Sequence, residues 1–139
     1  MNTKTLTGAL ITTVLGFLLG WLIFGMLLMD FYKANMIQYS GLMKDPPEIW
    51  AIGVSNLAWG LLFAWIFNLA SINSVSKGFT AGLIITFLMV LGFDLFMYAS
   101  MNLYNTKALA VDVIANAVFG GLLGAVLGWW FGRGSTAKA

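Results

Sequence analysis

Acidic side chains lie inside or beside long apolar stretches of this sequence, and one of them stands out. Asp94 follows Gly92 and Phe93 and precedes Leu95 and Phe96, so its neighbours along the chain are apolar. A carboxylate near the centre of a bilayer costs about 2.5 to 3.5 kcal/mol, but Asp94 lies about 24 Å along its predicted helix at 1.5 Å per residue, near the interface, where the cost is lower. Ionisable groups within such segments commonly serve ion or proton pathways. The sequence therefore makes Asp94 the first candidate for a proton or cation site.

Four other residues are candidates for the same site: Asp30, Asp112, Asn56 and Asn116. One interpretation gathers these carboxylates and amide carbonyls around Asp94 in a polar pocket. In the alternative, Asp30 and Asp112 lie in the headgroup region, with Asp112 in the first turn of its helix. The two asparagines then pair with each other as a structural clasp. We prefer the alternative for these four residues, and both interpretations stay open for Asp94.

The composition narrows the chemistry. Of the 139 residues 60% are hydrophobic and 9% charged, and the chain has neither Cys nor His. Disulfides, thiolates and the commonest metal and haem ligands are therefore missing, and we expect no metal site and no cofactor. No nucleophile or phosphate-binding loop accompanies the carboxylates, so we expect no catalytic residues and no enzyme. The seven basic residues form no patch, which argues against nucleic acid binding.

Four apolar segments have the length that a bilayer-spanning helix needs, at about 6–29, 49–72, 79–101 and 108–131. The sequence thus predicts an all-α protein, a four-helix transmembrane bundle forming a single domain over residues 1–139. The first segment has no small-residue cleavage site after it, and we expect it to be retained. Asp45 as N-cap, Pro46 as first helical residue and Glu48 two positions later predict where the second helix begins.

Charged and aromatic residues near the helix ends indicate an orientation. Four bases fall on the side of the termini: Lys4, Lys77, Arg133 and Lys138. Three fall on the other side: Lys33, Lys44 and Lys107. The excess of one base predicts that both termini are cytoplasmic. On the opposite side gather all four tyrosines, as in an interfacial aromatic belt: Tyr32, Tyr39, Tyr98 and Tyr104.

The two halves of the sequence resemble each other. At one constant offset, four residues after the first segment match four at the end of the third: Phe31, Ala34, Met36 and Tyr39 with Phe96, Ala99, Met101 and Tyr104. Asp30 and Asp94 miss this register by one position. Two residues of the second segment also match two of the fourth: Asn56 and Gly60 with Asn116 and Gly120. The pattern predicts two parallel-repeated helical hairpins, the alternative being chance similarity of apolar segments.

Small residues recur at every fourth position of the last segment: Asp112, Asn116, Gly120, Gly124, Gly128 and Gly132. Such a glycine zipper lets two helix backbones approach closely in lipid. Weaker versions occur elsewhere, in Asn56, Gly60 and Ala64, and in Gly16 and Gly20. We expect these rows to pack helices, and we expect the bundle to form a homo-oligomer or to bind a larger membrane partner.

Several short segments resemble a bacterial family of small four-span membrane proteins of unknown function. They are Gly25 with residues 28–32 (Leu-Met-Asp-Phe-Tyr), 43–47 (Met-Lys-Asp-Pro-Pro), 92–95 (Gly-Phe-Asp-Leu) and 111–113 (Val-Asp-Val). The resemblance covers nearly the whole chain. It implies a four-span fold in the bacterial inner membrane, and it supplies no catalytic residues.

Two functions remain open at this point. In the first, the protein is a proton- or cation-linked transporter or channel subunit, with the acids along its pathway. In the second, it is an accessory or scaffolding protein that packs against itself or a larger partner through glycine-rich helix faces. A buried Asp94 that faces other helices favours the first function, and an Asp94 in bulk solvent favours the second.

Overall fold

The computed structural model describes residues 2–133 of the chain, and the fold is all-α, as predicted. Its helices are α1 (Thr3–Leu22), which continues into a π-helical turn (Ile23–Leu27), then α2 (Met29–Asn35), α3 (Ile49–Leu69), α4 (Val75–Ser100) and α5 (Thr106–Gly132). Four segments are long and apolar enough to cross a membrane: Thr3–Leu27, Ile49–Leu69, Val75–Ser100 and Thr106–Gly132. Met1 and residues 134–139, including the Lys138 of the charge count, lie outside the described residues.

Side-chain caps set three of the helix starts. The side chains of Asn2, Ser74 and Asn105 each accept a hydrogen bond from the backbone N–H three residues later. A cap of this kind satisfies an N–H of the first turn that has no partner within the helix. The helix therefore begins at the cap and includes polar residues that precede the apolar run. As a result, α4 begins four residues and α5 two residues earlier than predicted.

The second span begins at residue 49, as its apolar segment predicts, but the predicted N-cap at Asp45 is wrong. α3 begins at Ile49, and Glu48 before it has an extended backbone. Neither Asp45 nor Pro46 belongs to the helix. The physical reason is that Pro46 is followed by Pro47, because a proline ring disfavours helical backbone angles in the residue before it.

The helices pack as two pairs, α1 on α3 and α4 on α5, and α1 joins the pairs by contacting α5. Lys4 near the start of α1 donates hydrogen bonds to the carbonyl oxygens of Phe131 and Arg133, at 2.8 and 2.7 Å. The start of α1 and the end of α5 therefore lie side by side. We call this end of the bundle the terminal end and the other the distal end.

The two pairs are not identical in detail. α2 and α4 end at Asn35 and Ser100, which are matching positions of the proposed repeat, and the residue after each is extended. The segments that lead to these two positions differ. The first span changes to a π-helical turn and breaks at Leu28, whereas α4 continues without interruption. The duplication itself stays a prediction.

Glycines form the closest contact of the bundle, between α4 and α5. They are Gly78 and Gly82 on α4, facing Gly120, Gly124 and Gly128 on α5, while Gly132 lies against the carbonyl oxygen of Asn73 just before α4. A Cβ added to Gly82 would overlap the carbonyl oxygen of Gly120, and one added to Gly124 would overlap that of Gly78. The partner of the α5 glycine row is thus α4 of the same chain, through two glycines that the sequence analysis did not select.

The other glycines expected to pack helices differ in how closely they do so. Gly60 of α3 crosses α1, where a Cβ would come within 2.6 Å of the carbonyl oxygen of Ala9. A Cβ on Gly16 would lie 2.8 Å from the side-chain oxygen of Asn56. Gly20 is different, because its nearest neighbour would be at an ordinary van der Waals distance of 3.9 Å. The contact at Gly20 therefore does not depend on a missing side chain.

A cluster of buried apolar side chains fills the terminal half of the bundle: Ala9, Phe63, Ala64, Phe67 and Leu127. The rings of Phe63 and Phe67 stack with their centres 5.8 Å apart. This core brings together residues of α1, α3 and α5, and it closes the terminal end of the bundle.

We expect Gly82→Ala to destabilise the bundle by about 1 to 3 kcal/mol, because the new methyl group forces α4 away from α5. The midpoint of thermal unfolding in detergent, followed by circular dichroism, measures the effect. Gly92→Ala is the matched control in the same helix, since a Cβ there meets no heavy atom within 4 Å among the described residues. Equal midpoints for the two variants would contradict the backbone contact.

Candidate functional site

Asp94 belongs to the same row of α4 that carries the glycine contact. The buried residues of α4 recur at multiples of four: Gly78, Gly82, Thr86 and Asp94. Successive residues at this spacing are about 40° apart around a helix, so the row winds slowly, as the contact line between two crossing helices does. In the antiparallel partner α5, the corresponding row begins with Asp112 and Asn116. The helix contact that is made by glycines near the terminal end therefore places Asp94 and Asp112 on facing sides at the distal end.

Asp94 is buried, with 4% of its surface exposed. Its Oδ2 atom has no hydrogen-bond partner among residues 2–133. Buried polar atoms in proteins are nearly always hydrogen-bonded, so an orphaned carboxylate oxygen needs an explanation. The position of Asp94 meets the condition that favours a transport function, because the side chain faces other helices.

Asp112, in contrast, has partners for both oxygens. Its Oδ1 accepts a hydrogen bond from the hydroxyl of Tyr32 at 2.5 Å, and its Oδ2 accepts one from Nδ2 of Asn116 at 3.0 Å. Because α5 begins at Thr106, Asp112 lies in the second turn of the helix. The expectation that Asp112 lies in the first turn is therefore wrong, and its location in the headgroup region stays a prediction.

An open cavity of about 510 Å³ lies at the distal end, and we call it the outer cavity. Its lining combines two carboxylates with aromatic and apolar side chains: Trp59, Met89, Val90, Phe93, Asp94, Tyr104, Asp112 and Asn116. Among the described residues, no other acidic side chain lines this cavity. Two acids and an amide are a donor set for a proton or a single cation.

A second cavity of about 120 Å³, the inner cavity, lies between α1, α3, α4 and α5. It adjoins the outer cavity, because Trp59, Val90 and Asn116 line both. Its lining includes Thr86, whose hydroxyl is buried and has no hydrogen-bond partner within residues 2–133. Polar groups thus continue from the carboxylates towards the middle of the bundle.

Two tyrosines from the distal connections complete the surroundings of the carboxylates. Burial raises the pKa of Tyr32 far above its ordinary value, and the hydrogen bond to Asp112 and the negative charge of Asp112 raise it further. Burial also raises the pKa of Tyr104, with added contributions from the charges of Asp112 and Asp94. Both phenols therefore keep their protons at neutral pH and act as neutral neighbours of the acids.

The structure separates Asp30 from the other candidates. Asp30 is exposed in the first turn of α2 and lines neither cavity. It misses the repeat register by one position, and one residue turns a side chain by about 100° around a helix. The break at Leu28 changes the path of the chain further. Asp30 and Asp94 are consequently in different environments.

The predicted clasp between the two asparagines is also wrong. Nδ2 of Asn56 donates to the carbonyl oxygen of Ile52 at 2.9 Å, and Nδ2 of Asn116 donates to the backbone and side chain of Asp112. Each amide thus bonds within its own helix, where an acceptor four residues back is always within reach. The two asparagines nevertheless line the inner cavity together.

The residues that were not expected at the site include Trp59, Thr86 and Tyr104, which line these cavities, and Tyr32, which donates to Asp112. Thr86 was detectable, because it follows Gly82 at the same spacing of four. The tyrosines were assigned to an interfacial belt, and their approach to Asp112 depends on how the connections fold. Trp59 has no distinguishing spacing, since tryptophans are common in apolar segments.

The ordinary pKa of tyrosine is about 10, and the phenol of Tyr32 ionises only well above that pH. We expect Tyr32→Phe to remove this late ionisation. Because the folded pKa of Tyr32 is raised, its contribution to folding stability is fully present below pH 10 and is lost as the pH rises further. The ultraviolet absorbance of phenolate, recorded during an alkaline titration, measures this late step. Tyr39→Phe, which removes an exposed hydroxyl, is the control and keeps it. Part of the late absorbance remains in Tyr32→Phe, because the pKa of Tyr104 is also raised. A late amplitude in Tyr32→Phe as large as that of the unmodified chain contradicts the buried contact with Asp112.

In comparisons with known proteins, no protein family, no curated protein and no solved structure matches the chain.

Proposed function

We propose that this small four-span membrane protein binds a proton or a monovalent cation at Asp94 and Asp112 and moves it through the bundle. The observation that carries the proposal is the buried, unpartnered carboxylate oxygen of Asp94 in a cavity that also contains Asp112. Removing a carboxylate from water without a partner costs several kcal/mol. A bound proton or cation supplies the missing partner.

The shape of the bundle supports transport from one side at a time. The outer cavity is open and lies at the distal end, and it adjoins the inner cavity at Asn116. The apolar core around Phe67 and Leu127 closes the terminal end. A pathway that is open on one side and closed on the other fits a carrier that alternates between two states, rather than a continuously open pore.

The proposal includes a place for the protein in the cell. From the family resemblance and the charge count we propose the bacterial inner membrane, with both termini in the cytoplasm. Four helices enclose little space, so we also propose that the working form is an oligomer. The proposed role is non-enzymatic.

The scaffold alternative has less support. It relied on glycine-rich helix faces as docking surfaces for another protein. In the bundle, Gly120, Gly124 and Gly128 are buried against α4 of the same chain. These faces are therefore not available to a partner unless the bundle opens.

We expect Asp94→Asn to reduce flux through the protein to the level of protein-free liposomes, because the amide keeps the size of the side chain but carries no charge. The measurement is the influx of protons and of monovalent cations into liposomes that contain the purified protein, under an imposed membrane potential. Asp30→Asn is the matched control, since Asp30 is an exposed carboxylate outside both cavities. The proposal is contradicted if Asp94→Asn shows the same flux as the unmodified chain, or if the unmodified chain shows no flux.

A further inference from the structure

The outer cavity is larger than a proton or an alkali cation requires. Its volume of about 510 Å³ lies within the range of about 300 to 1,000 Å³ that is typical of small-molecule sites. A bare cation needs only a few oxygen ligands at close range, whereas most of this lining is made of carbon. The size of the cavity therefore indicates an organic ligand.

The lining has the chemistry that recognises an organic cation. Trp59, Phe93 and Tyr104 contribute aromatic rings, whose faces attract positive charge. Met89 adds a flexible, polarisable side chain that adapts to apolar groups of different shape. The charge of the ligand has a counter-charge in Asp94, which is 4% exposed and has an oxygen without a partner in the described part of the chain.

The rim of the outer cavity faces the surroundings of the bundle. The exposed fractions of three lining side chains are 41% for Trp59, 44% for Met89 and 64% for Phe93. All three belong to spans, on α3 and α4, where an exposed surface faces lipid. A ligand that enters past these side chains must first dissolve in the bilayer, which excludes a hydrated inorganic ion from this route.

The inner cavity offers space for an apolar substituent. Besides Trp59 and Val90, which it shares with the outer cavity, its lining includes Phe63, Phe119 and Leu123. When the charge of a ligand lies at Asp94, the apolar groups of the ligand can therefore contact apolar side chains both at the rim of the outer cavity and in the inner cavity.

We infer that the ligand is a lipophilic organic monocation, which places its charge at Asp94 and its aromatic or alkyl groups against Trp59 and Phe93. This inference rests on the proposed function, because it uses the same carboxylates, and it narrows the class of ligand. Entry takes place from the lipid, between α3 and α4.

Equilibrium binding of radiolabelled tetraphenylphosphonium to the purified full chain in lipid nanodiscs tests the inference. We expect saturable binding that disappears in Asp94→Asn and weakens about tenfold in Trp59→Leu, because one aromatic face is lost. Trp65→Leu is the matched control, since Trp65 is a half-exposed tryptophan of the same helix that lines neither cavity. Phe93→Leu provides a second test from α4, at a side chain too exposed to be needed for folding.

Weakened binding in Trp59→Leu and Phe93→Leu, with unchanged binding in Trp65→Leu, supports the inference. If all three variants bind tetraphenylphosphonium as tightly as the unmodified chain does, the inference is overturned, because the aromatic lining then makes no contact with the ligand. If tetraphenylphosphonium does not bind saturably while liposomes still show proton or alkali-cation flux that depends on Asp94, the organic ligand is excluded and the proposed function stands. Failure of both experiments overturns both.

Discussion

The backbones of α4 and α5 touch because glycine has no Cβ, and the position of the candidate site follows from that contact. Gly78 and Gly82 leave no room for a side chain between the two helices. Helices are stiff, so a contact near one end determines which residues face each other near the other. Asp94 and Asp112 are brought into the lining of one cavity in this way, although two carboxylates do not attract each other.

The two carboxylates differ in how far the protein satisfies them. Asp112 receives hydrogen bonds from Tyr32 and Asn116, so much of the cost of removing it from water is offset within the chain. Asp94 is more deeply buried and keeps an oxygen without a partner among residues 2–133. An incomplete polar network in an otherwise well-packed bundle is expected where a ligand completes it, and this asymmetry underlies the proposed function.

The distal connections position the tyrosines. A π-helical turn and a break at Leu28 redirect the chain into α2, which carries Tyr32 to Asp112. Turns of this kind are rare in helices and are frequent at functional sites. The next connection approaches α2 closely, since the backbone N–H of Ile37 donates to the carbonyl oxygen of Leu103 at 3.0 Å. Tyr104 follows directly, so the short helix α2 and the connection between α4 and α5 supply the phenols around the acids.

The sequence by itself determined the four spans, the all-α class and the special position of Asp94, because lipid selects for length and apolarity within each segment. It also showed the row from Asp112 to Gly132 as a packing surface. Only the tertiary structure decided that this row faces Gly78 and Gly82 of α4, that Asp30 stays apart, and that the connections bring tyrosines to Asp112. Those outcomes depend on helix rotation and on the path of the connections, which relate residues far apart in the chain and leave no local pattern.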